Sequence, residues 1–130
     1  MHLSYVVAVV AATIVISLSD WLFFGVLFHD RYDETPEVWR AGAEGPRITA
    51  STLSALVGTI AFFAIATALQ VRGAGPALLL AVLVWLAGAL PQTFMNTLYI
   101  KYAPSIGVSH SLGWLARALI VGLAYGVVAR

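Results

Sequence analysis

Apolar residues gather in four long runs, at about residues 3–28, 48–71, 76–100 and 105–129, and polar residues collect between them. A helix of about 20 apolar residues crosses the hydrocarbon core of a bilayer, so each run predicts one membrane span. Arg72-Gly73-Ala74-Gly75-Pro76 reads as a tight turn between the second and third runs, with Pro76 opening the next helix. Pro104-Ser105 restarts the chain after Lys101-Tyr102. Links this short make antiparallel neighbours. The expected fold is therefore all-α, a single transmembrane domain over residues 1–130 built as an integral membrane four-helix bundle.

The one long connection runs from His29 to Pro46 and carries Asp30, Asp33, Glu34, Glu37 and Glu44, every acid except Asp20. Within it, Thr35-Pro36-Glu37 has the order of an N-cap, a first-position proline and a first-turn acid. That order predicts a short interfacial helix over residues 36–41, ended by Gly42, with Trp39 suited to the membrane interface.

Composition agrees with the pattern. The chain is 61% hydrophobic and 10% charged, against about one quarter charged for a soluble domain. Its net charge of +1 gives no electrostatic case for a nucleic-acid partner. The absence of cysteine removes disulfides and thiolate metal sites. Met1 to Tyr5 lacks the positive start of a signal peptide, so the first run reads as a retained helix.

The face holding Met1, Arg72 and Arg130 is called side one. Side two then holds the long loop and Lys101, with Arg31, Arg40 and Arg47 beside it. The excess of basic residues favours side two as the cytoplasmic face of a plasma (inner) membrane.

Against this apolar background Asp20 stands out. An acid at the bilayer centre costs about 2.5–3.5 kcal/mol on insertion scales, so it calls for a partner or a purpose. At 1.5 Å per residue Asp20 lies roughly 12 Å below the side-two end of its helix, and Arg117 of the fourth helix roughly 18 Å down. Their long side chains can close that gap. Gln92 and Asn96 of the third helix and Ser54 of the second fall in the same half of the bilayer. Helical spacing aligns Thr13, Ser17 and Asp20 on one face, and His110, Trp114 and Arg117 on another. Pro91 cannot donate to the carbonyl of Ala87 and should kink the third helix at this depth.

Asp20, Arg117, Gln92, Asn96, Ser17, Ser54 and His110 thus form a candidate intramembrane polar cluster. One reading is structural, a buried Asp20–Arg117 ion pair that fixes helix register. The other is a polar pocket or proton-coupled path opening to side two.

Ala118, Gly122 and Gly126 make a small-residue stripe that permits close helix approach, either inside the bundle or in a dimer. Phase places it roughly 100–180° from Arg117, so an inward Arg117 points the stripe outward. The second helix carries the stripes Ala50-Ser54-Gly58 and Ser51-Ala55-Thr59, assigned to internal packing. His29 and Asp33 are weak metal candidates, one turn apart if helical, in a spacing that matches no dedicated motif. Trp21, Phe23, Phe24, Phe28 and Trp85 read as packing and interface anchors. No nucleophile–base arrangement, phosphate loop or catalytic carboxylate pair is recognisable, so neither an enzyme nor a cofactor is expected.

Two stretches carry a likeness of another kind. Asp20-Trp21-Leu22-Phe23-Phe24-Gly25-Val26-Leu27-Phe28, followed by Trp39, resembles the aromatic end of the first span in a small bacterial membrane family catalogued only as a domain of unknown function. Leu90 to Tyr99, then Ser109-His110-Ser111-Leu112-Gly113-Trp114, resembles the third-to-fourth-helix signature of that family. The resemblance implies four spans of about this length and a bacterial source, and it implies no activity. The expected role is transport or binding of a small solute or ion through the polar cluster, in the bilayer and as a homodimer. The alternative is a non-catalytic accessory or assembly subunit of a larger membrane complex.

Overall fold

The computed structural model describes residues 3–32, residue 36 and residues 42–130. Helix α1 (Leu3–Leu22) runs into a π-helical turn (Phe23–Leu27) and a one-turn helix α2 (His29–Tyr32). Then come α3 (Glu44–Ala68), α4 (Ala74–Val84), a second π-helical turn (Trp85–Ala89), α5 (Leu90–Tyr99) and α6 (Pro104–Val128). Four continuous helices, Leu3–Leu27, Glu44–Ala68, Ala74–Tyr99 and Pro104–Val128, are long and apolar enough to cross a membrane. The chain is a multi-pass membrane protein, and its spans form a four-helix bundle.

Two local departures from expectation have physical causes. The second span starts at Glu44, before Pro46 rather than after it. A proline costs nothing in a first turn, where N–H groups lack intrahelical acceptors. Glu44 thereby moves from the loop to a helix start, where an acid is favoured. The expected interfacial helix over residues 36–41 lies outside the described residues except for Pro36. The kink expected at Pro91 takes the form of a π-helical turn, with the Leu90 N–H bonded to the Trp85 carbonyl. Pro91 offers no N–H to Ala87 and crowds its carbonyl, and the wider turn sits where that strain falls.

The second span ends in a tight cap. Gln70 adopts a left-handed backbone (φ 54°), the Val71 N–H bonds the Ala66 carbonyl at 2.9 Å, and the Gln70 N–H bonds the Thr67 carbonyl at 3.0 Å. These two bonds satisfy carbonyls that a helix end otherwise leaves open.

Helix α6 is the centre of the bundle and packs on α1, α3, α4 and α5, whereas α3 lies mainly against α1 and α6. The buried apolar core draws Ala8, Val9 and Ile16 from α1, Ala55 to Ala66 from α3, Ala77 and Ala81 from α4, and Val121 and Tyr125 from α6. Nearly all of these belong to the side-one half. Residues 44–54 of α3, at the other end, are exposed on every face. The bundle is closed at side one and splayed at side two.

Small residues make the closed end. A Cβ on Gly122 would stand 2.9 Å from the Ala77 carbonyl oxygen, and one on Gly126 only 2.5 Å from the Ala74 Cα. The Gly73 N–H donates to the Ala129 carbonyl at 2.8 Å, tying the α4 start to the α6 end. The outward direction inferred for the Ala118-Gly122-Gly126 stripe is therefore corrected: Gly122 and Gly126 are buried against α4. The fourth helix sits in the middle of the bundle, so one face can meet α1 through Arg117 while another meets α4.

Tyr125 completes this end. It is 2% exposed, and its hydroxyl donates to the Val71 carbonyl at 3.2 Å and lies 3.4 Å from Thr67 Oγ1. Its ring meets Phe63, Tyr5 and Phe62 edge-on at centroid distances of 5.2, 6.0 and 6.4 Å.

Candidate functional site

Asp20 stands near the α1 end and Arg117 in the middle of α6, and the antiparallel packing of the two helices brings them together. Arg117 Nε donates to Asp20 Oδ1 at 2.7 Å and Arg117 Nη2 donates to Asp20 Oδ2 at 2.5 Å. The pair is bidentate, the geometry that matches a planar guanidinium to a carboxylate. The two side chains are 15% and 14% exposed. The guanidinium carbon also lies 4.8 Å from the centre of the Trp114 ring, one turn earlier on α6. The charge is thus held between a carboxylate and an aromatic face.

The π-helical turn after α1 shapes the next layer. It delivers Phe24 onto α6, where the ring meets His110 edge-on at 5.3 Å. A Cβ on Gly113 would stand 3.0 Å from the Phe24 ring, so the glycine makes room for it.

The remaining cluster residues divide. Ser17 donates to the Thr13 carbonyl at 3.0 Å, inside its own helix, rather than to Asp20. A hydroxyl surrounded by hydrocarbon takes the nearest acceptor, which is the carbonyl four residues back. Gln92 Nε2 donates to Asn96 Oδ1 at 3.3 Å, so the two amides bond each other rather than the ion pair. Ser54 and Gly58 are exposed, which corrects the internal packing assigned to the stripe Ala50-Ser54-Gly58. In the neighbouring stripe Ala55 and Thr59 are buried and Ser51 is exposed.

Ser54, Gln92, Asn96, His110 and Arg117 instead share a cavity of about 730 Å³. Its walls are α3, with Gly58 and Phe62, and the third span, with Trp85 and Gly88, and its back is α6, with Trp114 and Val121. Asp20 and Ser17 are not part of its lining. The sequence cluster therefore resolves into two linked features: an ion pair between α1 and α6, and a cavity that touches only its basic member.

Two contributors went unread in the sequence. Trp85 reads in the sequence as a packing or interface anchor, yet it lies near mid-span and donates its indole N–H to the Ser111 carbonyl of α6 at 3.0 Å. A tryptophan far from either interface needs an acceptor inside the protein, and that depth was the available signal. Phe24 meets α6 from within the π-helical turn, a position no spacing rule foretells. As for metal, His29 is exposed on α2, and Asp33 lies outside the described residues. Among the described residues no group of three His, Cys, Asp or Glu side chains could hold an ion.

No curated protein and no solved structure matches the chain. A family model described as "Protein of unknown function (DUF1761)" matches residues 7–126, nearly the whole bundle with both the ion pair and the cavity, and the chain belongs to that family.

Proposed function

We propose that the protein binds a small molecule within the membrane, in the cavity between its second and third spans. The observation that carries this reading is the convergence of Ser54, Gln92, Asn96 and Arg117, from three spans, on an otherwise apolar cavity of about 730 Å³. That volume falls among small-molecule sites, which typically combine apolar walls with a few placed polar groups. The ion pair supports binding over a proton path through Asp20. Its carboxylate is engaged at both oxygens and stands off the cavity wall. The closed side-one end, with Gly126 against Ala74 and Tyr125 over the end of α3, supports access from side two or from the bilayer rather than a through route.

The test is extraction in mild detergent followed by native mass spectrometry. The wild-type protein should carry a co-purifying small molecule. Gly88→Leu, placed where a Cβ meets open space, should fold and lose it. Identical adducts on both proteins would sink the reading.

A second reading, an accessory subunit that docks a larger membrane protein, is favoured by one observation: the side-two end of α3 exposes large apolar side chains, Ile48 and Leu53 among them. Cross-linking from Leu53 in native membranes tests it, and a reproducible heterologous adduct is the expected result. Adducts to lipid alone would count against docking.

A further inference from the structure

We infer that the cavity takes an uncharged amphiphile from the bilayer, with its polar end at Gln92 and Asn96 and its apolar part running past Trp85 toward Phe62 and Val121. This rests on the reading of the cavity as a binding site and adds the class of ligand.

Charge argues first. Among the described residues no Asp or Glu lines the cavity, so a cation would find no fixed counter-charge there. Arg117 does line it, but Nε and Nη2 are already committed to Asp20. Its other N–H groups could still donate, but its one positive charge is already balanced by Asp20. An anion that displaced the carboxylate, or that lay beside it, would leave one negative charge in excess in a low-dielectric site, which is strongly unfavourable. An uncharged molecule meets no such penalty.

Hydrogen bonding argues next. One bond joins the Gln92 and Asn96 amides, and it uses one donor and one acceptor of the four groups they carry. The Gln92 carbonyl oxygen and the Asn96 amide N–H remain for a ligand, and exchanging O and N in both amides leaves the same pair of functions. A site offering one donor and one acceptor suits hydroxyl and ester groups.

Depth argues third. Asn96 and Gln92 lie about 5 and 10 Å below the side-two end of the third span, whereas Val121 and Phe62 lie about 26 Å below the same face along their own helices. The cavity therefore runs from the amides near one face, past the charge-paired Arg117 roughly 20 Å down, to the apolar Phe62 and Val121 beyond the bilayer middle. That is the order of groups in a lipid of the side-two leaflet. Gly58 and Gly88 stand on opposite walls, each with open space where a Cβ would be. Entry between the second and third spans meets no side chain at either position.

The test uses purified protein in nanodiscs and three photoactivatable probes sharing one diazirine-bearing chain: a monoacylglycerol, an alkylsulfonate and an alkyltrimethylammonium. The monoacylglycerol should label peptides of α3 and the third span, and excess unlabelled monoacylglycerol should suppress that labelling at least tenfold. Gly58→Leu should abolish it, and Asn96→Leu should weaken it severalfold with the melting temperature unchanged. Competable, Gly58-sensitive labelling by either charged probe in preference to the glyceride would overturn the uncharged class and leave cavity binding standing. Labelling by no probe that is both competable and Gly58-sensitive would overturn the binding reading as well.

Discussion

Arg117 reaches Asp20 across 97 residues of sequence with two parallel hydrogen bonds, and rests its other face on Trp114. Both charges are mostly withdrawn from solvent, and removing one partner of such a pair typically costs about 3–5 kcal/mol. Asp20→Asn and Arg117→Gln should each lower the melting temperature of the detergent-solubilised protein. The swapped double variant, Asp20→Arg with Arg117→Asp, should recover part of the loss. Simple addition of the two single losses would show that the contact contributes nothing as a pair.

The glycines of α6 and those facing the cavity should respond in opposite ways. Gly126→Leu drives a side chain into the Ala74 backbone and Gly122→Leu into the Ala77 carbonyl. Overpacking costs typically about 1–3 kcal/mol, and a backbone obstacle cannot rotate away, so losses at or above that range are expected. Gly58→Ala and Gly88→Ala meet open space and should leave stability unchanged or raise it by up to about 1 kcal/mol, since alanine suits a helix interior better. Thermal melts of the four variants decide the matter, and equal behaviour of the two pairs would refute the packing described.

At the closed end the hydroxyl of Tyr125 can be separated from its ring. Tyr125→Phe removes the bond to the Val71 carbonyl and the contact with Thr67, and should cost about 1 kcal/mol. Tyr125→Ala also removes the ring that meets Tyr5, Phe62 and Phe63, for a loss of about 3–5 kcal/mol. Denaturation in detergent should rank the three proteins in that order.

Membrane orientation is testable because the chain has no cysteine of its own. The distribution of basic residues predicts a cytoplasmic first loop. Asp30→Cys should therefore resist a membrane-impermeant maleimide in intact cells, and Arg72→Cys should react. The reverse pattern would invert the orientation.

Span number and the meeting of Asp20 with Arg117 were legible because length, hydropathy and depth along a helix follow from counting residues. The facing of the Gly122 stripe was not. Counting gives the angle between two residues on one helix, but not how many neighbours surround that helix. Since α6 packs against α1 and α4 on different sides and leaves only a stripe such as Val108, Leu112, Leu123 and Val127 exposed, an angle far from Arg117 can lead to α4 rather than to lipid. Phe24 escaped for a related reason: it lies within a π-helical turn, and a constant 100° per residue cannot register the change of phase there. The cavity was only half legible. Its polar residues were recognised, but the vacancy between the second and third spans arises from the splay of α3, a property of the whole assembly.

That splay has a mechanical consequence. A body drawn tight at one face and spread at the other displaces more area from one leaflet than from its opposite, so it is a wedge. Bending that expands the side-two leaflet, or packing defects within it, then acts on the protein in the same direction as widening the gap beside Gly58 and Gly88. On the proposed reading of the cavity, membrane shape and its occupancy would be mechanically coupled.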